Sequence, residues 1–153
     1  MSSVIIPKRK IHETAVIHPN AVIGQDVEIG AYAVIDEDTV IGDGCKIGAH
    51  AVIHRYTTIG KNCKFFPGCS IGAEPQDLKF AGEKSYTIIG DGGTFRECCT
   101  VNRATGEGNE TRIGNNILMM AYTHVAHNCI VGNNVIMSNV ATLAGHVIVE
   151  DRA

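Results

Sequence analysis

The sequence predicts an all-β protein built from hexapeptide repeats, a parallel β-helix in which each short segment forms one side of a coil. The strongest observation is that every sixth residue from Ile5 to Val149 is apolar, with the exceptions of Asp77, Glu83 and Glu107. In addition, a small or β-branched residue usually comes four positions after each apolar site, and a glycine often follows that site directly. A period of six fits neither an α-helix nor an isolated alternating strand.

The register also predicts how the coils stack. If three hexads form a triangular coil, residue n lies beneath residue n+18, about 4.8 Å away along the ladder. The glycine after the apolar site is expected at the corner, where the backbone would adopt dihedrals that a Cβ resists. The small interior position is expected to hold five of the six cysteines as buried hydrophobes in a reducing compartment; they are Cys45, Cys63, Cys69, Cys99 and Cys129.

Composition limits the classes of function. The length of 153 residues suits one domain, 1–153. The net charge of −3 gives no sign of nucleic-acid binding. No apolar run is long enough to span a membrane, and residues 1–10 lack the apolar core of a signal peptide. The sequence therefore predicts a cytoplasmic protein.

Two polar stretches interrupt the repeat, at about 73–87 and 102–112. The first puts Asp77 and Glu83 where isoleucine would otherwise lie, and the second does the same with Glu107. A solenoid accommodates insertions as loops at its corners, and such loops commonly build the binding face. The alternative is that both are solvated corners without a role.

Histidines provide a second indication of function. Stacking by 18 residues places Gly145 over His127 and His146 over Asn128, so His127 and His146 are expected on the same face of adjacent coils. Imidazoles there could share a zinc ion or act in acid–base catalysis. Because no carboxylate in the immediate segment completes a ligand set, catalysis is the favoured interpretation. The corner histidines and His50 are expected to be exposed and without chemistry; the corner ones are His12, His18 and His54.

Three segments in order, AEPQDLKFAGE (73–83), HVAHNCIVGNN (124–134) and TLAGH (142–146), resemble the UDP-N-acetylglucosamine acyltransferases. The resemblance implies a left-handed β-helix that assembles as a homotrimer with active sites between subunits. It implies transfer of a 3-hydroxyacyl group from acyl carrier protein to the 3-hydroxyl of UDP-N-acetylglucosamine, the first step of lipid A biosynthesis. It implies no cofactor and no metal.

The same resemblance assigns roles to particular residues. His127 resembles the general base, Gly145 the residue whose backbone N–H stabilises the oxyanion, and Asn128 the residue that orients the base, where an aspartate is usual. Asparagine stabilises an imidazolium less well than a carboxylate does. The positions that resemble substrate-binding residues are Asp77, Lys79, Gln76, His124 and His146, with Asn102 as a further sugar contact.

Members of that family continue with further coils and a C-terminal helical domain, which these 153 residues do not contain. The expectation is therefore of the N-terminal β-helix portion of such an enzyme. Alternatives that remain are a non-catalytic or truncated β-helix trimerisation fragment, and another hexapeptide-repeat acyl- or acetyltransferase.

Overall fold

The computed structural model describes residues 10–153, so Ile5 and the segment 1–9 lie outside it. The described chain contains 21 short strands and no helix, and hence no helix long and apolar enough to cross a membrane. The strands are β1 (Lys10–Ile11), β2 (Val16–Ile17), β3 (Val22–Ile23), β4 (Glu28–Ile29), β5 (Val34–Ile35), β6 (Val40–Ile41), β7 (Lys46–Ile47), β8 (Val52–Ile53), β9 (Thr57–Ile59), β10 (Lys64–Phe65), β11 (Ser70–Ala73), β12 (Tyr86–Ile89), β13 (Thr94–Phe95), β14 (Thr100–Asn102), β15 (Glu110–Ile113), β16 (Leu118–Met119), β17 (His124–Val125), β18 (Ile130–Val131), β19 (Ile136–Met137), β20 (Thr142–Leu143) and β21 (Ile148–Val149).

Every third strand belongs to the same sheet, which gives three parallel seven-stranded sheets. One sheet runs from β1 to β19, the second from β2 to β20 and the third from β3 to β21. Ile11 pairs with Ile29, and Val125 pairs with Leu143, so the spacing of 18 residues predicted from the register is confirmed. In this parallel β-helix, side chains of the same kind stack above one another along one axis.

The interior contains the predicted column of apolar side chains. Ile53 and Ile71 are fully buried, and the rings of Phe65 and Phe95 stack with their centroids 4.7 Å apart. The five cysteines of the small position are buried free thiols, whereas Cys98 is exposed. Each buried thiol also lies within reach of a backbone carbonyl, as in the 3.1 Å contact from Cys129 to Ala144. The cysteines therefore fill the small interior position as predicted.

The reason given for the glycines that follow apolar sites is wrong for all of them except Gly72, whose φ is 84°. Gly42 follows an apolar residue, but its φ is not positive; a Cβ there would lie 2.5 Å from the Gly60 carbonyl oxygen of the next coil. The left-handed backbone occurs two residues later, at Gly44 (φ 70°). Gly42 therefore allows close approach between coils, and the corner itself lies at Gly44.

Two connections are longer than the rest and lie at neighbouring levels of the helix. The first loop, 74–85, joins β11 to β12, and the second loop, 103–109, joins β14 to β15. Both loops follow strands of the second sheet, and these two strands pair with each other, so the loops lie side by side. They create a raised edge next to β17, which carries His124.

Candidate active site

His127 lies at a corner of the coil, directly against the next coil. A Cβ added to Gly145 would lie 2.5 Å from both Cε1 and Nε2 of the His127 ring. The ring of His146 stands perpendicular to that of His127, with centroids 5.2 Å apart. The structure thus brings these three residues together, and the missing side chain of Gly145 leaves the space that the imidazole occupies.

Asn128 selects the tautomer of the neutral His127 ring. Its Oδ1 accepts the Thr105 backbone N–H at 2.9 Å and its Nδ2 donates to the Thr105 carbonyl at 3.1 Å, which determines the orientation of the amide. His127 Nδ1 lies 2.9 Å from the same Oδ1. Because a carbonyl oxygen only accepts, Nδ1 carries the proton, and in the neutral imidazole Nε2 therefore keeps its lone pair. An unprotonated Nε2 is what a general base requires.

Asp77 is the acidic residue of the first loop that faces this imidazole. Its Oδ2 lies 3.9 Å from His127 Nε2, and both side chains are largely buried. The Lys79 backbone N–H donates to Asp77 Oδ1 at 3.0 Å, and this hydrogen bond is the main reason that the pKa of Asp77 lies below its usual value. Asp77 is therefore a carboxylate at neutral pH, directed into the space in front of the base.

The other predicted substrate-binding residues have varied surroundings. Gln76 and Lys79 are exposed on the first loop. The His124 ring is half-buried, its Nδ1 lies 2.7 Å from the Thr100 hydroxyl, and burial lowers its pKa. Neutral His124 can therefore offer its other ring nitrogen to a ligand.

Asn102 is buried beneath the first loop, not directed at the histidines. Only 4% of the residue is exposed, and its Nδ2 donates to the Glu74 carbonyl at 2.9 Å. Its Oδ1 has no hydrogen-bond partner among the described residues. A direct contact to a sugar from Asn102 stays a prediction.

A buried arginine, which the sequence did not single out, packs beneath the first loop. Arg103 is 2% exposed, donates to the Glu74 carboxylate at 3.1 Å and lies over the Phe80 ring at 5.2 Å. It borders a polar cleft of about 560 Å³. His54 lines the same cleft, half-buried between Asp36 and Ser70, so the expectation that it is simply exposed is wrong.

The sequence carried only an indirect signal for these supporting residues. Glu83 and Glu107 break the apolar register, and in the structure their carboxylates accept backbone N–H groups that join the two loops. Nothing in the periodicity distinguishes Arg103 or Thr105 from any other loop residue. Among residues 10–153, no group of three or more His, Cys, Asp or Glu side chains is placed to hold a metal ion.

Comparison with known proteins places the chain in a family. The family described as GMPPB C-terminal domain matches residues 2–106. The chain belongs to this family. The match includes the first loop and the start of the second, and it ends before β15, so His127 and His146 lie outside it.

Over a longer stretch the chain is similar to acyltransferases. Acyl-[acyl-carrier-protein]--UDP-N-acetylglucosamine O-acyltransferase of Stenotrophomonas maltophilia (strain R551-3) is 59% identical over 143 residues, which cover 93% of this chain and 54% of that protein. LpxA from Acinetobacter baumannii is 42% identical with a TM-score of 0.88, covering 91% of this chain and 54% of the other. UDP-N-acetylglucosamine acyltransferase from Bacteroides fragilis 9343 is 47% identical with a TM-score of 0.86, covering 90% and 54%.

These similarities confirm the resemblance to UDP-N-acetylglucosamine acyltransferases and the fold, a left-handed parallel β-helix. The chain spans about half the length of the curated relatives it matches. The roles assigned to individual site residues stay predictions, to which the structure adds geometry.

Proposed function

We propose that this chain carries the catalytic base of an O-acyltransferase that moves a 3-hydroxyacyl group from acyl carrier protein to the 3-hydroxyl of UDP-N-acetylglucosamine, the first step of lipid A biosynthesis. The observation that carries the proposal is the state of His127, with Nδ1–H held by Asn128 and Nε2 open beside Asp77. The similarity to acyltransferases over 93% of the chain supports the class of reaction.

The proposed reaction uses this geometry in two steps. His127 Nε2 takes the proton of the sugar hydroxyl while that oxygen attacks the thioester carbonyl. The tetrahedral intermediate then collapses, expels the carrier's thiolate, and the imidazolium returns the proton to the sulfur. A positioned base contributes about 10²–10⁴-fold to such a reaction.

The oxyanion of the intermediate needs a donor close to the base. Gly145 adjoins the imidazole, and its N–H donates to no backbone carbonyl within residues 10–153. A backbone N–H directed at the developing charge contributes roughly 10²–10³-fold. In this proposal Asp77 accepts a hydrogen bond from a hydroxyl of the sugar. His124, on the strand that leads to the His127 corner, and His146, on the next coil, are further substrate contacts, as are Gln76 and Lys79 on the first loop. Asn128 keeps the ring oriented throughout.

The assembly belongs to the same proposal. The chain acts as a homotrimer in the cytoplasm, with sites between subunits. Apolar side chains that stand outward from the third sheet support burial in such an interface: Val22, Val40, Ile130 and Ile148, each at least 41% exposed. The buried free thiols suit a reducing compartment. Light scattering is expected to give three times the 16.3 kDa of one chain; a monomer would overturn the trimer.

Activity is tested by incubating the purified chain with UDP-N-acetylglucosamine and a pool of 3-hydroxyacyl carrier proteins, then weighing the nucleotide sugar by mass spectrometry. The expected result is a gain of one acyl group, reduced at least about 10²-fold by His127→Ala. Equal product from that variant would overturn the assigned base. No product from the parent chain would favour the alternative of a non-catalytic β-helix fragment.

A further inference from the structure

Three carboxylates interrupt the apolar register, and only Asp77 faces the base. The other two, Glu83 and Glu107, bridge the first and second loops. Glu107 accepts the Lys84 backbone N–H at 3.1 Å near the outer end of the second loop. Glu83 lies deeper and contacts the part of the second loop that leads to His127.

Glu83 binds both loops through one carboxylate. Its Oε1 accepts the Gly106 backbone N–H at 2.7 Å, and its Oε2 accepts the Ala81 N–H at 2.8 Å. The Gly106 hydrogen bond is the main cause of a lowered pKa at Glu83, which keeps the group ionised at neutral pH. Hydrogen bonds to an ionised acceptor are roughly twice as strong as neutral ones.

Glu83 and Asn128 hold the same peptide unit from its two ends, because the Gly106 N–H bound by Glu83 and the Thr105 carbonyl bound by Asn128 belong to one peptide bond. The Thr105 N–H and carbonyl make the two hydrogen bonds that set the orientation of the Asn128 amide. That orientation presents Oδ1 to His127 Nδ1 at 2.9 Å. A displaced Thr105 would free the amide to turn, and His127 would lose the acceptor that selects the Nδ1–H tautomer.

We propose that Glu83 is a positioning residue for the base: through the Gly106 and Thr105 peptides and the Asn128 amide, it holds His127 in the tautomer that leaves Nε2 unprotonated. The kinetic consequence rests on the function proposed above. The structural part, that Glu83 controls the His127 tautomer through the Gly106 and Thr105 peptides and the Asn128 amide, depends only on these contacts.

The experiment compares the imidazole nitrogens of Glu83→Ala, Glu83→Gln and Glu107→Ala by nitrogen-15 NMR, with the His127 signals assigned by their loss in His127→Gln. Glu107→Ala is the matched control, because it also removes a bridge from a carboxylate to a backbone N–H between the same loops. We expect the Nε2–H tautomer of His127 to increase at least twofold in Glu83→Ala. Glu83→Gln, whose amide oxygen can still accept the Gly106 N–H, is expected between that variant and the parent. Glu107→Ala is expected to match the parent.

Kinetics provides the second readout. Misplacement of a reacting group can cost up to about 10²-fold, and Glu83→Ala is expected to lower kcat toward this limit while KM for the nucleotide sugar changes less than twofold. A parental tautomer ratio in folded Glu83→Ala, or an equal change in Glu107→Ala, would overturn the proposal. If the parent chain transfers no acyl group, the proposed function fails, and the tautomer ratios still decide the role of Glu83.

Discussion

Gly145 has no side chain, and the His127 imidazole occupies the space that a side chain would fill. Gly145→Ala would place a Cβ 2.5 Å from two ring atoms, and real Cβ atoms do not approach that closely. Since φ at Gly145 is not positive, alanine fits the backbone and the ring must move instead. We expect kcat/KM to fall by roughly 10²-fold, with an unchanged circular dichroism spectrum.

The exposed neighbour of Gly145 provides the control for that substitution. Ala144→Ser adds one atom on the outside of the same corner and is expected to keep the parental kcat/KM. Parental activity in Gly145→Ala would show that the ring position in the structure does not matter for the reaction.

Asn128 has left-handed backbone dihedrals, with φ of 58°. Glycine adopts this conformation without strain, so Asn128→Gly removes the side chain and leaves the backbone unstrained. The variant loses the acceptor of His127 Nδ1–H and both hydrogen bonds to Thr105. We expect kcat to fall by about 10-fold or more, toward the 10²-fold cost of misplacing a reacting group.

A second corner asparagine offers a matched comparison. Asn134 has φ of 57°, is exposed and lies away from the two loops. Asn134→Gly should therefore leave kcat unchanged. If both variants lose the same activity, the corner backbone and not the Asn128 amide is responsible.

Among the elements, the first loop depends on a guanidinium beneath it. Arg103 is almost completely buried, whereas the Glu74 side chain that neutralises it is 61% exposed. Removing the carboxylate leaves a buried charge without its partner, and such losses cost about 3–5 kcal/mol. Removing the arginine leaves only an exposed carboxylate, which water solvates.

This asymmetry predicts an order of stabilities. Glu74→Ala is expected to lower the free energy of unfolding by roughly 3 kcal/mol, at the lower end for buried pairs. Arg103→Met should cost clearly less, because methionine fills the same space without a charge. Arg55→Met serves as the control: Arg55 also pairs with Glu74 but is 41% exposed, so about 0–1 kcal/mol is expected. Denaturant unfolding measures all three, and the reverse order would contradict the assigned burial.

For the molecule as a whole, acid is expected to weaken the fold. Backbone or side-chain donors hold the pKa of several carboxyls below their usual values; they are Glu28, Asp43, Asp77, Glu83 and Glu97. Burial lowers the pKa of His54 and His124 below 6.5. In every case the unfolded chain binds the proton more readily than the folded chain does, so stability falls as pH decreases.

The two kinds of group act in different pH ranges. The histidine contribution is lost as pH falls below 6.5, and the carboxyl contributions are lost below their ordinary values of 4.5 and 3.8. The urea midpoint should therefore decrease in two stages between about pH 8 and pH 3. His54→Gln should reduce the first stage. A midpoint that rises on acidification to pH 5 would contradict this prediction.

The regular coils were predictable from the sequence because each hexad has one apolar residue that must be buried in the same way. An apolar residue such as Ile53 must be buried, and residue n+18 is the neighbour that covers it. The glycine at position 42 shows the limit of the same reasoning. Sequence marks the residue, but only the distance to the Gly60 carbonyl shows that contact between coils, and not a left-handed φ, requires it.

The approach of His127 and His146 was predicted by the same stacking rule, because both lie on regular coils. Asp77 and Thr105 lie on loops that break the period, so counting residues gives no neighbour for them. Their positions beside His127 and Asn128 come from loop backbone conformation and hydrogen bonds between segments distant in sequence.

The sequence by itself determined the architecture, the buried column and the pairing of the histidines, because periodic burial of apolar side chains is a local and additive preference. Only the tertiary structure decided the rest: the hydrogen bonds that join Glu83, Thr105 and Asn128 to the base, and the burial of Arg103 under the first loop. These depend on how two irregular loops pack against each other, where each polar group finds its partner through space and no period relates one to the next.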